Sequence, residues 1–324
     1  MYAVTLIIVN WNGRQYLKDC LDSVMAQKFT DSEVIVVDNG SSDDSVNFIR
    51  ENYQNVRVVC LDENRGFTGG NYAGFEVAQG QFIALLNNDT RVEPAWLGEL
   101  VSAMQAQSDV GICASRIIID GTELIDSVGD LFTTAFSGTK VGHLQSASLF
   151  NTPHVVHGGC AAAILYRRSM LDQIGFLDDD FFFNHEDTDL NMRAWLSGWK
   201  CEYVPGAIVH HKVSATVGDL SDTSVYYFAR NNVWVWIKNV PIGSLLCNLP
   251  QRIVYELSAV GFFCIKKGKW RSFIKGKFAA VIKIPAMLIK RKKIQKMVKL
   301  KHCEIAAHLI PIGDYLRLRL QKNK

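Results

Sequence analysis

Carboxylates crowd the stretch FFFNHEDTDLNMRAWLSGWKC, residues 181–201. Four ionisable side chains lie between positions 185 and 189, namely His185, Glu186, Asp187 and Asp189. A segment with helical spacing of apolar residues follows, and acidic groups near a helix start are stabilised by the helix dipole, by about 0.3–1 kcal/mol each. Dipole stabilisation explains one or two of these carboxylates, so the others require a further role.

Asp89 and Asp38 are two further carboxylates that end apolar segments. Asp89 follows Asn87 and Asn88, and a carboxylate in such a position is suited to hold a divalent cation through oxygen. Asn-Asn-Asp is also a common turn-forming cluster, so the motif by itself leaves both roles open. Asp38 precedes a Gly-Ser-Ser turn, where it is suited to hydrogen-bond a base or a ribose, whereas Asp43 is expected to cap the next helix.

Residues 64–74, NRGFTGGNYAG, form a glycine-rich segment that opens a predicted helix. Its candidate ligand contacts are Asn64, Gly66 and Asn71. Glycine lets the backbone approach a phosphate closely, and the start of a helix favours an anion. The segment is neither the dinucleotide-binding fingerprint nor the nucleotide-triphosphatase loop, so alone it is a weak indication.

Four apolar, β-branched runs alternate with segments of helical spacing in the first hundred residues. The runs are 4–10, 33–39, 56–61 and 82–89. Apolar strands separated by helices predict an α/β fold, a mostly parallel sheet with helices on both faces, whose ligands bind outside the carboxyl ends of the strands. Each run ends in or leads to polar residues, which begin at Asn10, Asp38, Asn64 and Asn87. One polar strand end is an ordinary turn, but four together favour a ligand site.

Charge is distributed unevenly along the 324 residues. Residues 1–237 carry 15 Lys and Arg against 29 Asp and Glu, a net charge of −14, whereas residues 238–324 carry 20 against 3, a net charge of +17. This asymmetry predicts an acidic catalytic or binding body joined to a basic segment that meets an anionic surface. The eight cysteines are scattered and the first residues show no secretory signal, which predicts reduced thiols in the cytosol.

The region 241–324 interleaves basic and apolar residues. Its apolar run at 253–265 spans 13 residues and contains Glu256, short of the roughly 20 residues that a spanning helix requires. We expect amphipathic helices that lie on an anionic membrane surface. A solvated charged face is the alternative, but five aromatic side chains need burial: Phe262, Phe263, Trp270, Phe273 and Phe278. The region lacks any stacking-sheet or recognition-helix signature, so nucleic acid is not an expected partner.

Six segments in this order resemble the family 2 glycosyltransferases with the GT-A fold: VNWNG, VVDNGSSDDS, NRGFTGGNYAG, LLNNDT, NHEDTDLNMR and VHHKVSAT. The similarity covers residues 3–240 and points in particular to the bacterial rhamnosyltransferase-like group that builds cell-surface polysaccharide. It implies a GT-A catalytic domain at 1–240, followed by a basic, amphipathic, membrane-associating helical region at 241–324.

The resemblance implies roles for the strand ends. In this family a nucleotide-sugar lies across them, and an Asp-x-Asp-type motif holds Mg²⁺ or Mn²⁺ on its diphosphate. The motif here reads Asn87-Asn88-Asp89, which makes Asp89 the direct ligand and Asn87 an outer or ribose contact. The further contacts to the nucleotide-sugar are expected from Asn88, Asn64, Gly66 and Asn71. Asp38 matches the position that contacts the base or ribose, with Asn10 nearby.

The resemblance also implies a base and a second metal ligand. Family 2 enzymes invert the anomeric carbon and need a base for the acceptor hydroxyl. The matching residue is Asp187, with Glu186 orienting the acceptor or the base. His211 aligns with a histidine that completes the metal site, and His210 is an alternative match. A core role explains a histidine at the end of an apolar strand equally well.

We therefore expect an inverting, metal-dependent hexosyltransferase with dTDP-L-rhamnose as the first choice of donor, or another dTDP- or UDP-sugar. The expected acceptor is a growing glycan on a polyprenyl diphosphate at the cytoplasmic face of the cell membrane, where the protein would be peripheral. Two other classes stay open. Asn87 is compatible with a non-catalytic, membrane-attached scaffold, whereas a sugar-nucleotidyltransferase would be expected to carry a glycine-rich basic loop after its first strand, which this sequence lacks.

Overall fold

The computed structural model describes residues 2–213 and 220–321, so residues 214–216 of the segment VHHKVSAT lie outside the described residues. The contacts divide the chain into two compact units. Unit 1 comprises Met1–Asp130, Lys140–Phe183 and Trp199–Thr216, and unit 2 comprises Leu131–Thr139, Asn184–Gly198 and Val217–Lys324. The predicted division into 1–240 and 241–324 follows the family resemblance instead, and it stays a prediction.

Unit 1 is built on one ten-stranded sheet. The strands of the chain are β1 Val4–Asn10, β2 Ser32–Asn39, β3 Val56–Leu61, β4 Phe82–Asn87, β5 Thr90–Val92, β6 Val110–Ile119, β7 Ile125–Ser127, β8 Asp130–Phe132, β9 Gly138–Lys140, β10 His154–Val156, β11 Ala163–Arg167 and β12 Lys200–His211. The sheet order is β10-β12-β6-β11-β4-β1-β2-β3, with β5 paired to β12 and β7 to β6, while β8 and β9 form a separate two-stranded sheet.

The first four strands pair in parallel, as the alternation of apolar runs and helices predicts. In this register Asn10 lies opposite Asp38, and Val9 lies opposite Asn87. The strand β11 runs antiparallel to both β4 and β6, so the sheet as a whole is mixed. The predicted α/β architecture is confirmed, and its parallel part brings the polar strand ends to one edge.

Five helices of unit 1 flank this sheet: α1 Arg14–Met25, α2 Ser45–Asn52, α3 Gly66–Val77, α4 Trp96–Ala106 and α5 Arg168–Ile174. On one face, Leu6 of β1 shares a buried core with Leu17 of α1 and Trp96 of α4. On the other face α3 approaches β1 so closely that a Cβ on Gly74 would lie 2.6 Å from Ile7 Cγ2. Both faces of β1 are therefore buried, which explains its unbroken apolar sequence.

Two local expectations have structural counterparts in unit 1. Asp43 Oδ1 accepts hydrogen bonds from the backbone N–H and the hydroxyl of Ser45, the first residue of α2, but the N-cap position is Asp44, so Asp43 contacts the helix start from one residue before the cap. Pro94 at the start of an apolar segment predicts a helix over residues 94–107, and the helix observed there begins two residues later, at Trp96. The difference is small because proline is tolerated just before or within a first turn.

Unit 2 is helical apart from β8 and β9. Its helices are α6 Glu186–Leu196, α7 Asp222–Asn239, α8 Ile242–Cys247, α9 Leu249–Val260, α10 Trp270–Ile282, α11 Ile284–Ile294, α12 His302–His308 and α13 Ile312–Gln321, with a π-helical turn at Gly261–Lys266. Both α10 and α11 pack on α7. The predicted helical C-terminal region is confirmed. Within the described residues, no helix has both the length and the apolar content to cross a bilayer.

A buried ionic cluster joins α6 to α7 within unit 2. Asp189 accepts hydrogen bonds from Arg193 Nε at 3.0 Å and Asn239 Nδ2 at 2.8 Å, and Lys238 Nζ lies 2.8 Å from its Oδ1. The spacing of Asp189 and Arg193 predicts an ion pair at the surface or behind the site. A surface position is wrong, because α7 covers both side chains and leaves Asp189 fully buried.

Replacing Asp189 by asparagine should destabilise the protein by about 3–5 kcal/mol, because two buried cations would lose the carboxylate that compensates them. Urea denaturation followed by circular dichroism measures this change. Asp222→Asn is the matched control, since Asp222 pairs with Lys269 at 3.2 Å on the surface, and its substitution should change the free energy of unfolding far less. Equal effects of the two substitutions would contradict the structural role of the cluster.

Candidate active site

Asn10, Asp38 and Asn88 form one hydrogen-bonded network at the carboxyl edge of the sheet. Asn88 Nδ2 donates to Asn10 Oδ1 at 2.8 Å, and Asn10 Nδ2 donates to Asp38 Oδ1 at 3.3 Å. The second carboxylate oxygen of Asp38 accepts the backbone N–H of Ser41 at 3.0 Å. A Cβ on Gly13 would lie 2.2 Å from Asn88 Nδ2, so the turn after β1 has no room for a side chain there.

Asn64 and Gly66 are held together by Asn39, which the sequence analysis did not single out as a site residue. Asn39 Nδ2 donates to Asn64 Oδ1 at 3.0 Å and to the Gly66 carbonyl at 2.9 Å. Gly66 has φ +72°, and a Cβ there would lie 2.3 Å from the Phe182 carbonyl oxygen. Close packing within the protein thus explains this glycine, and its contact with a phosphate stays a prediction.

Asn71 and Asn87 lie outside these side-chain networks. Asn71 is buried in α3, and its Nδ2 donates to the Phe67 carbonyl at 2.8 Å. The main chain of Asn87 donates to the Ala162 carbonyl and accepts from Thr90 Oγ1. Their predicted contacts with a nucleotide-sugar stay predictions.

Asp89 and His211 meet where β5 pairs with β12. The register places Thr90 opposite His211, so the preceding residue, Asp89, lies beside the imidazole. His211 Nε2 lies 3.4 Å from Asp89 Oδ1, and both side chains are buried. His210 points elsewhere, with Nε2 3.0 Å from Glu93 Oε1. The structure therefore directs His211, and not His210, toward the carboxylate predicted to bind metal.

Asp126 holds the other side of the His211 ring. Its Oδ2 accepts from His211 Nδ1 at 3.2 Å, while Lys140 Nζ lies 2.6 Å and His143 Nδ1 3.6 Å from its Oδ1. Asp126 occupies a β-bulge, because β7 inserts one extra residue opposite the Ile117–Ile118 step of β6. Bulges next to active sites redirect a side chain in this way.

The charges of this group are mutually compensating. Burial raises the pKa of Asp126, but hydrogen bonds from His143 and His211 and the charge of Lys140 outweigh it and hold the pKa far below its usual range. Burial lowers the pKa of His211, but the hydrogen bond to Asp126 and the carboxylate of Asp89, 3.4 Å from Nε2, outweigh it and raise the pKa to about 9. The imidazole is thus set between two carboxylates, which favour a positive charge at Nε2, either a proton or a metal cation that replaces this proton.

Asp126, Lys140 and His143 are functional candidates that the sequence analysis missed. They lie in a stretch without helical or strand periodicity and without a recognisable motif. They are close together because of the bulge in β7 and because the chain comes back to Asp126 at residue 140. The sequence therefore contains no local signal for them.

The Asp89 and His211 pair fits a divalent cation. Asp89 Oδ1 is buried and makes no hydrogen bond among the residues described, although His211 Nε2 lies 3.4 Å away, and such an oxygen is costly unless a ligand contacts it. Oxygen and imidazole nitrogen are both ordinary cation ligands. The described residues contain no group of three or more His, Cys, Asp or Glu side chains that could hold a metal. Two protein ligands nevertheless suffice where substrate phosphates complete the coordination.

Glu186 and Asp187 begin helix α6 of unit 2 after a strained turn. Asn184 and His185 have positive φ values of 73° and 68°, a conformation that non-glycine residues adopt only where surrounding structure imposes it. Asp187 Oδ1 accepts from the Thr188 backbone N–H at 2.6 Å. Glu186 is buried, and its Oε2 has no hydrogen-bond partner within residues 2–213 and 220–321.

The two carboxyl groups have different surroundings. Burial, together with the nearby charge of Asp187, raises the pKa of Glu186 to about 8. Glu186 therefore keeps its proton at neutral pH, and Asp187 is the more exposed of the two carboxyls.

Glu186 should make stability decline as the pH rises toward 8. The folded protein holds this proton more tightly than the unfolded chain, so the contribution is complete below about pH 4 and is lost as the pH rises through about 8. In Glu186→Gln the melting temperature should vary less between pH 5 and pH 8 than in the wild type. Glu51→Gln, on the exposed side of α2, should keep the wild-type slope. An unchanged slope in Glu186→Gln would contradict the assignment.

Sequence comparisons identify relatives of the chain. The profile described as glycosyl transferase family 2 matches residues 5–175, more than half of the chain. An uncharacterized glycosyltransferase of Nostoc sp. is 29% identical over 178 residues, which cover 54% of each chain. The poly-beta-1,6-N-acetyl-D-glucosamine synthase of Staphylococcus aureus strain COL is 23% identical over 220 residues, 67% of this chain and 52% of that one. The chain thus spans about half the length of these curated relatives.

Solved structures with low sequence identity share the fold. GalNAc-T7 with UDP, GalNAc and Mn²⁺ superimposes with a TM-score of 0.61 at 17% identity, over 74% of this chain and 48% of that one. Staphylococcus aureus TarS 1–349 in complex with UDP-GlcNAc superimposes with a TM-score of 0.57 at 17% identity, over 92% and 89%. Together with the matched profile, these results show that the chain belongs to glycosyl transferase family 2 and has the GT-A fold.

Proposed function

We propose that the protein is an inverting, cation-dependent hexosyltransferase that uses a nucleotide-sugar donor. The observation that carries this proposal is the buried Asp89 oxygen without a hydrogen-bond partner beside His211, at the carboxyl edge of a family 2 sheet. The structures of GalNAc-T7 with UDP and Mn²⁺ and of TarS with UDP-GlcNAc support it by fold similarity.

Asp89 and His211 would hold Mg²⁺ or Mn²⁺ together with the diphosphate of the donor. When bound, the cation supplies Lewis-acid stabilisation of the leaving nucleoside diphosphate. Asp126 accepts the Nδ1–H of His211 and so presents Nε2 toward Asp89. A carboxylate behind a metal-binding histidine fixes its ring and its tautomer in this manner.

The network at the strand ends would receive the nucleoside part of the donor. Asp38 and Asn10 would contact the base or the ribose, and Asn88 holds Asn10 in place. Asn64 and Gly66 would face the donor from the neighbouring strand end, where Asn39 holds their loop. Contacts from Asn71 and Asn87 are part of the same proposal.

Asp187 would act as the base. It takes the proton of the acceptor hydroxyl while the acceptor oxygen attacks the anomeric carbon, the bond to the diphosphate breaks, and the configuration inverts. Glu186 keeps its own proton at neutral pH and so leaves this task to Asp187. Its protonated carboxyl is suited to orient the acceptor or the base through a hydrogen bond.

L-Rhamnose from dTDP-L-rhamnose is the donor we propose first, because the sequence motifs resemble those of the rhamnosyltransferase-like group. A UDP-sugar is the other choice, which TarS with UDP-GlcNAc supports as a fold relative. The proposed acceptor is a polyprenyl-diphosphate-linked glycan for cell-surface polysaccharide at the cytoplasmic face of an anionic membrane. The polysaccharide synthase among the relatives supports this class of product.

A non-catalytic scaffold is the second candidate. Asn87 favours it, because this residue replaces the first carboxylate of the usual metal motif. The scaffold would bind nucleotide without transferring sugar, so a transfer assay separates the two candidates.

Asp187→Asn should reduce sugar transfer by about 10²–10⁴-fold, because general base catalysis supplies an effect of that size. Transfer from a panel of dTDP- and UDP-sugars is measured with the purified full chain, and UDP and dTDP binding by calorimetry should stay close to wild type. Asp172→Asn, on the exposed side of α5, is the control and should transfer normally. Undiminished turnover in Asp187→Asn would reject the role of this residue.

Asp89→Ala should abolish the dependence of nucleotide binding on Mn²⁺. Calorimetric titration of UDP with Mn²⁺ or with EDTA measures this dependence, and Asp109→Ala, an exposed partner of Lys200, should behave as wild type. Asp126→Asn should weaken Mn²⁺ binding by about 10–100-fold, since it loosens the histidine and leaves Asp89 in place. A nucleotide affinity that is equal with and without EDTA in the wild type would count against the cation site.

A further inference from the structure

Helix α10 exposes an apolar stripe to solvent. Trp270, Ile274, Phe278 and Ile282 recur every four residues and are 50%, 55%, 67% and 60% exposed. Residues four apart lie on one face of a helix, so these side chains form a continuous row. A soluble surface rarely leaves such a row uncovered.

The neighbouring helices of unit 2 carry similar rows. Leu249, Ile253 and Leu257 recur every four residues along α9, and all are exposed. The shorter α8 exposes Ile242 and Leu246. Of the 22 exposed large apolar side chains in the described part of the chain, 15 fall between residues 242 and 289. The exposed apolar surface is therefore concentrated in α8–α11, which we call the apolar face.

The inner side of these helices is already packed. Phe263 and Phe273 are buried in one cluster with Val225 of α7. A Cβ on Gly276 would lie 2.3 Å from the Tyr226 carbonyl oxygen, so α10 is in close contact with α7. Rotation of α10 to bury its exposed row would break this packing. Of the five aromatic side chains expected to need burial, Phe263 and Phe273 are therefore buried within unit 2, whereas Trp270 and Phe278 stay exposed.

Basic residues are interspersed with the apolar face along the chain. Between residues 242 and 300 the only carboxylate in the sequence is Glu256. Its charge is compensated within the protein, because Lys277 Nζ lies 2.6 Å from Oε2 and Arg252 Nη2 lies 2.5 Å from Oε1. Exposed lysines remain beside the apolar rows, including Lys266, Lys267 and Lys275. The face is therefore apolar and cationic.

We propose that the apolar face of α8–α11 docks on an anionic lipid leaflet. Trp270, Ile274 and Phe278 enter the boundary between headgroups and acyl chains, and the lysines contact lipid phosphates. Charge favours this occupant over a second copy of the chain, because two such faces would bring cationic surfaces together. The proposal does not depend on sugar transfer.

Vesicle sedimentation of the full chain tests the proposal. Phosphatidylcholine vesicles with and without phosphatidylglycerol are compared, and the wild type should bind the anionic vesicles more strongly, with binding that weakens as salt rises. The double variant Ile274→Ser, Phe278→Ser should bind them at least about tenfold more weakly. Leu149→Ser, Val155→Ser is the matched control, because both residues are exposed apolar side chains of unit 1, at 69% and 65%. This control should bind like the wild type.

Tryptophan fluorescence gives a second measurement, because insertion into lipid shifts the emission to shorter wavelength whereas unfolding shifts it to longer wavelength. Anionic vesicles should shift the emission of the wild type to shorter wavelength, and Trp270→Phe should remove most of the shift. Equal binding to neutral and anionic vesicles, or wild-type binding by the Ile274, Phe278 variant, would overturn the proposal. The proposal would also be overturned if the wild type did not bind vesicles but self-associated in sedimentation velocity, and if the Ile274, Phe278 variant lost this self-association. Asp187→Asn should lose sugar transfer but bind vesicles like the wild type. A failure of the proposed catalytic role and a failure of membrane docking therefore give different results.

Discussion

In-register parallel pairing of β1 with β2 and β4 is the constraint on which the candidate donor site depends. Backbone hydrogen bonds set Asn10 opposite Asp38 and Val9 opposite Asn87, so the residues that follow each strand emerge at the same edge. A shift by one residue would turn every apolar side chain of β1 to the opposite face. That shift is costly because the two faces pack differently, with Ile7 against Gly74 on one and Leu6 with Trp96 on the other, and the core thereby determines where the polar strand ends meet.

Two buried carboxylates organise the polar interior, one in each unit. Asp126 compensates Lys140 and orients His211 in unit 1, and Asp189 compensates Arg193 and Lys238 in unit 2. A buried carboxylate is tolerated only where partners replace its hydration. Asp189 has an internal partner for each of its oxygens, as a structural group requires. Asp89 differs from both, because one of its oxygens lacks a hydrogen-bond partner in the described structure, and this difference marks it as the ligand-binding carboxylate.

Sequence reasoning located Asn10, Asp38 and Asp89 because each ends a recognisable apolar run, and the end of a strand is readable from local pattern. It could not locate Asp126, since a bulge redirects that side chain and only the pairing of β7 with β6 creates the bulge. It explained Gly66 and its neighbours by phosphate approach, whereas Phe182, more than a hundred residues away in the chain, already occupies the space that a side chain would need.

The sequence by itself determined the alternation of strands and helices, the polar strand ends, the basic C-terminal segment and its family resemblance, because periodicity, charge and motif are local properties of the chain. Only the tertiary structure decided which of two adjacent histidines faces Asp89, which aromatic side chains of the basic helices are buried and which remain exposed, and that Asp189 lies in the interior. Each of these outcomes depends on which distant segment packs against the residue, and a linear pattern does not contain that information.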